Sequence, residues 1–451
     1  MRVRRFRLLG AALSIAVVTA CGTNGGALGP QTSVSNDRLV NTSLHVLYDF
    51  QGGPSDGAAP DAIVHVPGGG LLGMTYDGGH IHPRDCETTG CGTIFQFNGS
   101  NARSIYFFQP QPSGFHPAGS LLLHDGVYYG VARGGAHDDG IVFSLNHTTG
   151  SAWIVKTLYN FNGAPNDGFE PNGLIYISAR GTIFGTTRMG GSGTGCLFST
   201  DGCGTIFELQ PPAMTSGTWK ESILHSFRGP DGAGPGGYAV RRGGSFYGTT
   251  EFGGAGLCPA VLGCGTIYKL TLSAGGATER VVHSFYTSSS STDGVWVSGA
   301  LVDGSDGNLY GTTLFGGGAP ACEVEPQVYG CGTFYSVSFG RGEKPQATTQ
   351  YAFAGGSDAE SPGELAAASS GLYGSSTYGG STACYDGCGT IFHLTRSGTA
   401  WTETQLHVFK GPDGKGPDGP ILLDGSKLYG TASAGGSAPC SCGTLFELST
   451  L

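Results

Sequence analysis

The chain has 451 residues, of which 12% are charged and 83 are glycine, and its formal net charge is -10. That acidic balance, with no run of Lys or Arg after residue 7, excludes nucleic acid as a partner, because phosphate contacts require clustered cations. The glycines follow no Gly-X-Y period and recur at fixed places between apolar runs, which excludes collagen and low-complexity disorder.

At the N-terminus, Arg2, Arg4, Arg5 and Arg7 precede an apolar run from Leu8 to Val18, followed by Val18-Thr19-Ala20-Cys21. This resembles a bacterial lipoprotein signal over residues 1–20, in which the thiol of Cys21 would receive diacylglycerol and tether the chain to a membrane. An ordinary secretory signal cleaved after Ala20 is the alternative. Residues 21–43, rich in Gly, Asn, Ser and Thr, read as a flexible tether. The expectation is an exported protein anchored to the bacterial cell envelope.

From Leu44 onward one phrase recurs seven times: an aliphatic-aromatic-Gly-Thr-Thr run, a Gly-Gly doublet, a variable loop, then Gly-Thr-Ile-Phe. The glycine after the aromatic falls at Gly73, Gly130, Gly185, Gly248, Gly311, Gly374 and Gly430. That spacing is the size of a propeller blade. Within one repeat, Glu279 to Phe285, Val295 to Val302, Leu309 to Thr313 and Gly332 to Val337 are short β-rich runs bounded by Gly, Asp, Ser and Asn. No segment of helical length shows a 3.6-residue period. The reading is all-β: a seven-bladed β-propeller of four-stranded blades over residues 44–451. The run before Leu-Tyr-Gly becomes the innermost strand and Leu44 to Phe50 supplies the last blade's outer strand, closing the ring. An open solenoid is the structural alternative.

Twelve cysteines fall into six local pairs, Cys86 with Cys91, Cys196 with Cys203, Cys258 with Cys264, Cys322 with Cys331, Cys384 with Cys388 and Cys440 with Cys442. Each pair sits between a Gly-Gly doublet and a Gly-Thr-Ile-Phe strand. In an exported protein such pairs read as disulfides pinning a loop, because a structural zinc site needs four ligands and each loop offers two thiols. Repeat two carries His137-Asp138-Asp139 there instead.

The repeated Asp56, Asp167, Asp231, Asp293 and Asp413 precede or approach Gly in a turn and read as caps of their own backbone. The repeated Tyr48, Tyr159, His225, His283, Tyr351 and His407 read as packing positions of the outer strand. Residues that break the repeat are better binding candidates: His80, His82 and Asp85 in the first loop, with His137, Asp138 and Asp139 in the second, where a divalent cation across adjacent blades competes with a merely solvated loop. His116, Glu170, Glu360 and Glu364 stand near inner-strand starts, where enzymes on propellers place their acids. No catalytic motif of known spacing is present, so no catalytic residue, cofactor or metal is assigned.

Leu309-Tyr310-Gly311-Thr312-Thr313, Gly263-Cys264-Gly265-Thr266-Ile267 and Leu224-His225-Ser226-Phe227 together resemble the GloVer tandem repeat of exported, "choice-of-anchor" bacterial proteins. The resemblance covers about residues 44–451 and departs at Tyr129-Gly130-Val131-Ala132, which lacks the Thr-Thr pair. It implies surface attachment and supplies no reaction. The first functional expectation is therefore a monomeric, non-catalytic module binding protein or glycan through its loop-rich face. The alternative is an extracellular polysaccharide hydrolase or lyase. Unlike acidic or His residues clustered at the channel mouth would favour the enzyme, and an apolar or aromatic patch there would favour binding.

Overall fold

The computed structural model describes residues 42–449, apart from 83–85, 87–88, 148–151, 197–199, 214–216, 257, 259–262, 287–291, 320–321, 326–327 and 341–343. Cys21 and residues 1–20, where a signal is expected, lie outside the described residues. The chain forms seven antiparallel four-stranded sheets and one two-stranded hairpin, with no helix among the described residues. Blade one runs inner to outer as Gly57–His65, Leu71–Gly78, Thr93–Phe97 and Ala102–Phe107. Blade seven consists of Leu422–Asp424, Lys427–Ala432, Thr444–Ser449 and, as its outer strand, Ser43–Asp49. The expected propeller is formed, and its N-terminal strand closes the ring.

The invariant second-strand glycine is set by what lies across it. A Cβ on Gly73 would come within 2.4 Å of the Phe95 ring, and one on Gly311 within 2.4 Å of the Tyr335 hydroxyl. Each third-strand aromatic thus needs a bare backbone beside it. On its other side it meets the phenylalanine that ends the previous blade's outer strand: Phe50 with Phe95 at 5.0 Å, Phe161 with Phe207 at 5.2 Å, Phe409 with Phe446 at 5.3 Å. The outer-strand phenylalanines are fully buried, each stabilising a junction by about 2–3 kcal/mol.

The Thr-Thr phrase divides its labour between the two faces of the strand. The second hydroxyl bonds the third strand of its own blade, as Thr313 to Thr333 at 2.8 Å and Thr250 to Thr266 at 2.8 Å. The first reaches the next blade's inner strand, as Thr249 to the Gly299 carbonyl at 2.9 Å and Thr312 to that of Gly363 at 2.7 Å. Thr431 closes the same clasp onto Asp61. In blade two Val131 and Ala132 are buried apolar residues, so the departure seen in the sequence exchanges hydroxyl clasps for packing. Thr312→Val keeps the shape and leaves a buried carbonyl unpaired, so it should lower stability by about 1–2 kcal/mol in denaturant unfolding.

The turn aspartates cap backbone amides as expected, Asp167 accepting from Asn162 N at 2.9 Å and Asp413 from Lys410 N at 2.7 Å. Each also holds the outer-strand Tyr or His: Tyr48 to Asp56 at 2.9 Å, Tyr159 to Asp167 at 2.7 Å, His407 to Asp413 at 2.9 Å. Those rings pack edge-on against the outer-strand phenylalanine, as Tyr159 on Phe161 at 5.2 Å.

At two of these junctions a glutamate joins the Tyr-Asp pair, and Glu403 is only 7% exposed. Burial, then Asp358, pushes Glu403 up to about 8 from an ordinary 4.5. A carboxyl that holds its proton more tightly folded than unfolded favours folding below about pH 4.5, and that contribution is lost as pH rises towards 8. Glu403→Gln should therefore raise the melting temperature near pH ~9 and leave it almost unchanged near pH ~4.

Candidate functional site

In an up-and-down meander, the outer-to-inner and second-to-third loops emerge on one face. Hydrogen bonds knit them there: the second doublet glycine donates to the preceding loop, Gly79 N to Asp56 O at 2.7 Å, Gly191 N to Asp167 O at 2.8 Å, Gly380 N to Asp358 O at 3.0 Å. All six expected disulfides form within these loops.

The second cysteine of each pair also positions the next blade. Its carbonyl accepts from a residue at the start of the neighbouring inner strand: Cys91 from His116 at 2.8 Å, Cys264 from Trp296 at 2.9 Å, Cys331 from Ser361 at 2.9 Å, Cys442 from Ala59 at 2.9 Å. In blade two, which lacks cysteine, Asp139 O accepts from Glu170 N at 3.0 Å. The seven positions are Ala59, His116, Glu170, Gly234, Trp296, Ser361 and Gly416, all left-handed, with φ from 48° to 64°. Two are glycine; five hold a side chain at a cost on the order of 1 kcal/mol each. The propeller thus carries a ring of strained positions at its channel mouth, and His, Glu and Trp occupy three of them.

Across blades one to four this ring meets a ladder formed by the residue after the Thr-Thr phrase. His116 stacks on Tyr76, ring centroids 4.3 Å apart and 10° from parallel. Arg133 donates to the Tyr76 hydroxyl at 3.0 Å and its other terminal nitrogen lies 3.7 Å from Glu170. One blade on, Arg188 donates to Glu251 at 2.9 Å. Burial, then Arg133, lowers His116 to about 4; these outweigh Asp77, whose carboxylate lies 3.5 Å from its Nε2, so the ring is neutral at physiological pH. Burial raises Tyr76 despite the opposing Arg133, so its phenol keeps its proton.

The next sector of the mouth is aromatic. Trp296 meets Phe252 at 6.0 Å and Phe315 at 5.5 Å, and Arg188 lies over Phe252 at 5.9 Å, joining the two sectors. On blade six Glu360 is raised to about 7 by burial and then Asp386.

Just inside the mouth, burial raises Asp61, Glu364 and Asp418 to about 6, 8 and 7 respectively, and the Asp61 carboxylate adds to the rise at each of the other two. Asp418 itself is solvent-exposed. Asp61, Asp418 and the Tyr76-to-Glu251 ladder escaped sequence reasoning. The available signal was that the residue after Thr-Thr varies as Tyr, Arg, Arg and Glu along the first four repeats, a change of chemistry that packing does not demand.

Asp85 lies outside the described residues. Among those described, the His, Cys, Asp and Glu trios close enough to share an ion are Cys322–Cys331–Glu360 and His225–Asp231–Glu279. His80, His82, His137, Asp138 and Asp139 are not drawn into such a group. His80 instead lies 5.1 Å from the Phe107 ring, and His82 lines a shallow groove with Gln109 and Gln111.

The Gloeobacter/Verrucomicrobia repeat family model matches residues 23–198. No match is found among the curated proteins. Among solved structures, the chain is similar to an ancestral GH74 enzyme at TM-score 0.50 and 12% identity, over 88% of this chain and 48% of that one. It is similar to polysaccharide lyase Uly1 at TM-score 0.47 and 12% identity, over 90% and 93% of the two chains. A sialidase of Trypanosoma rangeli matches at TM-score 0.45 and 10% identity, over 91% and 60%. The chain spans less than two thirds of the sialidase and of the GH74 enzyme, and the likeness at this identity is one of fold.

Proposed function

We propose that the protein cleaves extracellular polysaccharide, as a hydrolase or a lyase, at the channel mouth of blades one to four, while tethered to the cell envelope through Cys21. The observation that carries this reading is Arg133, which contacts Tyr76 and Glu170 at once beside a neutral, buried His116. These unlike groups are drawn from three successive blades, Tyr76 on the first, His116 and Arg133 on the second and Glu170 on the third, and satisfy no packing requirement of the repeat. Together they offer a proton donor in the Tyr76 phenol, a proton acceptor in Glu170, and a guanidinium between them to steady charge in the transition state. Arg133 and Arg188 favour a sugar bearing carboxylate or sulfate. The adjoining Phe252, Trp296 and Phe315 supply faces on which neighbouring sugar rings stack.

The six disulfides fit an oxidising, extracellular setting. The aromatic sector alone would suit a non-catalytic glycan module, but it adjoins an ionisable cluster that simple recognition does not need.

The test is incubation of oxidised protein with neutral and acidic polysaccharides, following new reducing ends and unsaturated, ultraviolet-absorbing ends. Reducing ends without unsaturation identify a hydrolase and unsaturated ends identify a lyase. Saturable binding with no product on any polymer would restore the non-catalytic reading.

A further inference from the structure

At the rim of the ring, six of the seven junctions between blades place an outer-strand Tyr or His on a turn Asp. Two further positions vary independently. The ring residue is His at 225, 283 and 407 and Tyr elsewhere in the set, while the next blade's outer strand brings Glu only at 221, 279 and 403. His, Asp and Glu coincide at one junction, between blades three and four.

We propose that His225, Asp231 and Glu279 form a site for one divalent transition-metal cation of the zinc type. His225 Nε2 lies 3.0 Å from Asp231 Oδ2 and 3.9 Å from Glu279 Oε2, and one ligand atom from each residue falls within 4.8 Å of the others. Tetrahedral ligands about 2.0 Å from zinc stand about 3.3 Å apart, within the spacing found here.

The second observation is the state of Glu279. Its side chain is only 7% exposed, and its Oε1 is buried without a hydrogen-bond partner. An unmet carboxylate oxygen in such a place is costly unless a proton or a cation satisfies it. The other ligands are already oriented. Asp231 Oδ1 accepts from Arg228 N at 2.7 Å, leaving Oδ2 towards the histidine. His225 is 20% exposed and Asp231 22%, which gives an ion access and leaves a fourth position for water. Imidazole with two carboxylates is an N/O donor set of intermediate hardness, which suits zinc better than calcium.

The remaining junctions are internal controls. His283–Asp293, at 2.8 Å, has Ala347 where Glu279 stands, and Tyr159–Asp167 with Glu221 lacks the imidazole. The proposal is independent of the cleavage reading, since the site lies on the rim and not at the mouth.

The test is calorimetric titration of the full oxidised chain with Zn2+, with Co2+ visible absorption as a second readout, on wild type, Glu279→Gln and the control His283→Gln. One saturable ion per chain is expected, weakened at least about tenfold by Glu279→Gln and unchanged by His283→Gln. A zinc-induced rise in the wild-type melting temperature, reversed by chelator, should accompany it and does not depend on the variants folding. Absence of saturable binding, or binding equally strong in Glu279→Gln and therefore seated on other histidines such as His80 or His82, would overturn the proposal.

Discussion

A chain lacking residues 42–50 should fail to form a stable monomeric ring. The lost segment is the whole outer strand of blade seven, paired from Ser43 with Ser449 to Asp49 with Thr444. It also carries Phe50, fully buried between blades seven and one and 5.0 Å from Phe95. Its removal strips a sheet edge and opens a junction, leaving Thr444–Ser449 as an unpaired edge that invites association with other chains. Phe50→Ala is the milder test. A fully buried aromatic truncated to alanine costs about 3–5 kcal/mol, and Phe161→Ala, the same position two blades further round the ring, should cost the same. Equal losses measured by denaturant unfolding would show that the closing junction is built like the others. A deletion variant with wild-type melting temperature and monomeric size would contradict the closure.

Arg133→Lys should reduce product release by about a hundredfold or more. The planar guanidinium reaches Tyr76 and Glu170 from two different nitrogens, and a lysine ammonium cannot reproduce that fork. General acid-base partners contribute on the order of 100- to 10,000-fold to rate, and misplacing both at once forfeits most of this. The loss should appear in kcat, with melting temperature nearly unchanged because Arg133 is partly exposed. Trp296→Ala makes the contrast: it removes the stacking surface next to the cluster, so KM should rise while kcat changes little. Equal losses of kcat in both variants would mean that the two sectors do not have separate roles.

The architecture was legible because each repeated residue meets a requirement that recurs at every junction. Gly73 and its six counterparts exist because a third-strand aromatic lies across them, and the Thr-Thr phrase because two faces of one strand each need a hydroxyl. Such constraints imprint a period. The site was less legible because it is made of departures from that period. His116 and Glu170 could be picked out as inner-strand starts, yet their left-handed backbone has no sequence signal when the residue is not glycine. Tyr76 and Arg133 meet across a junction between residues 57 positions apart, and nothing in either local sequence announces the pairing. The loop residues His80, His82, His137, Asp138 and Asp139 stood out by composition alone, and chemistry-bearing residue types in neighbouring loops need not converge. The trio at His225 was hidden for the opposite reason: two of its members are repeat positions with a sufficient structural purpose, and only the register of Glu279 against Leu270 brings the third beside them.

The most direct measurement is time-resolved product release from an acidic polysaccharide by the oxidised wild-type protein and by Glu170→Gln, with polysaccharide binding followed in parallel. The account predicts product from the wild type and release at least about a hundredfold slower from the variant, with binding retained in both. Equal rates in the two proteins would remove Glu170 from the chemistry, and binding without product in the wild type would contradict cleavage at the channel mouth altogether.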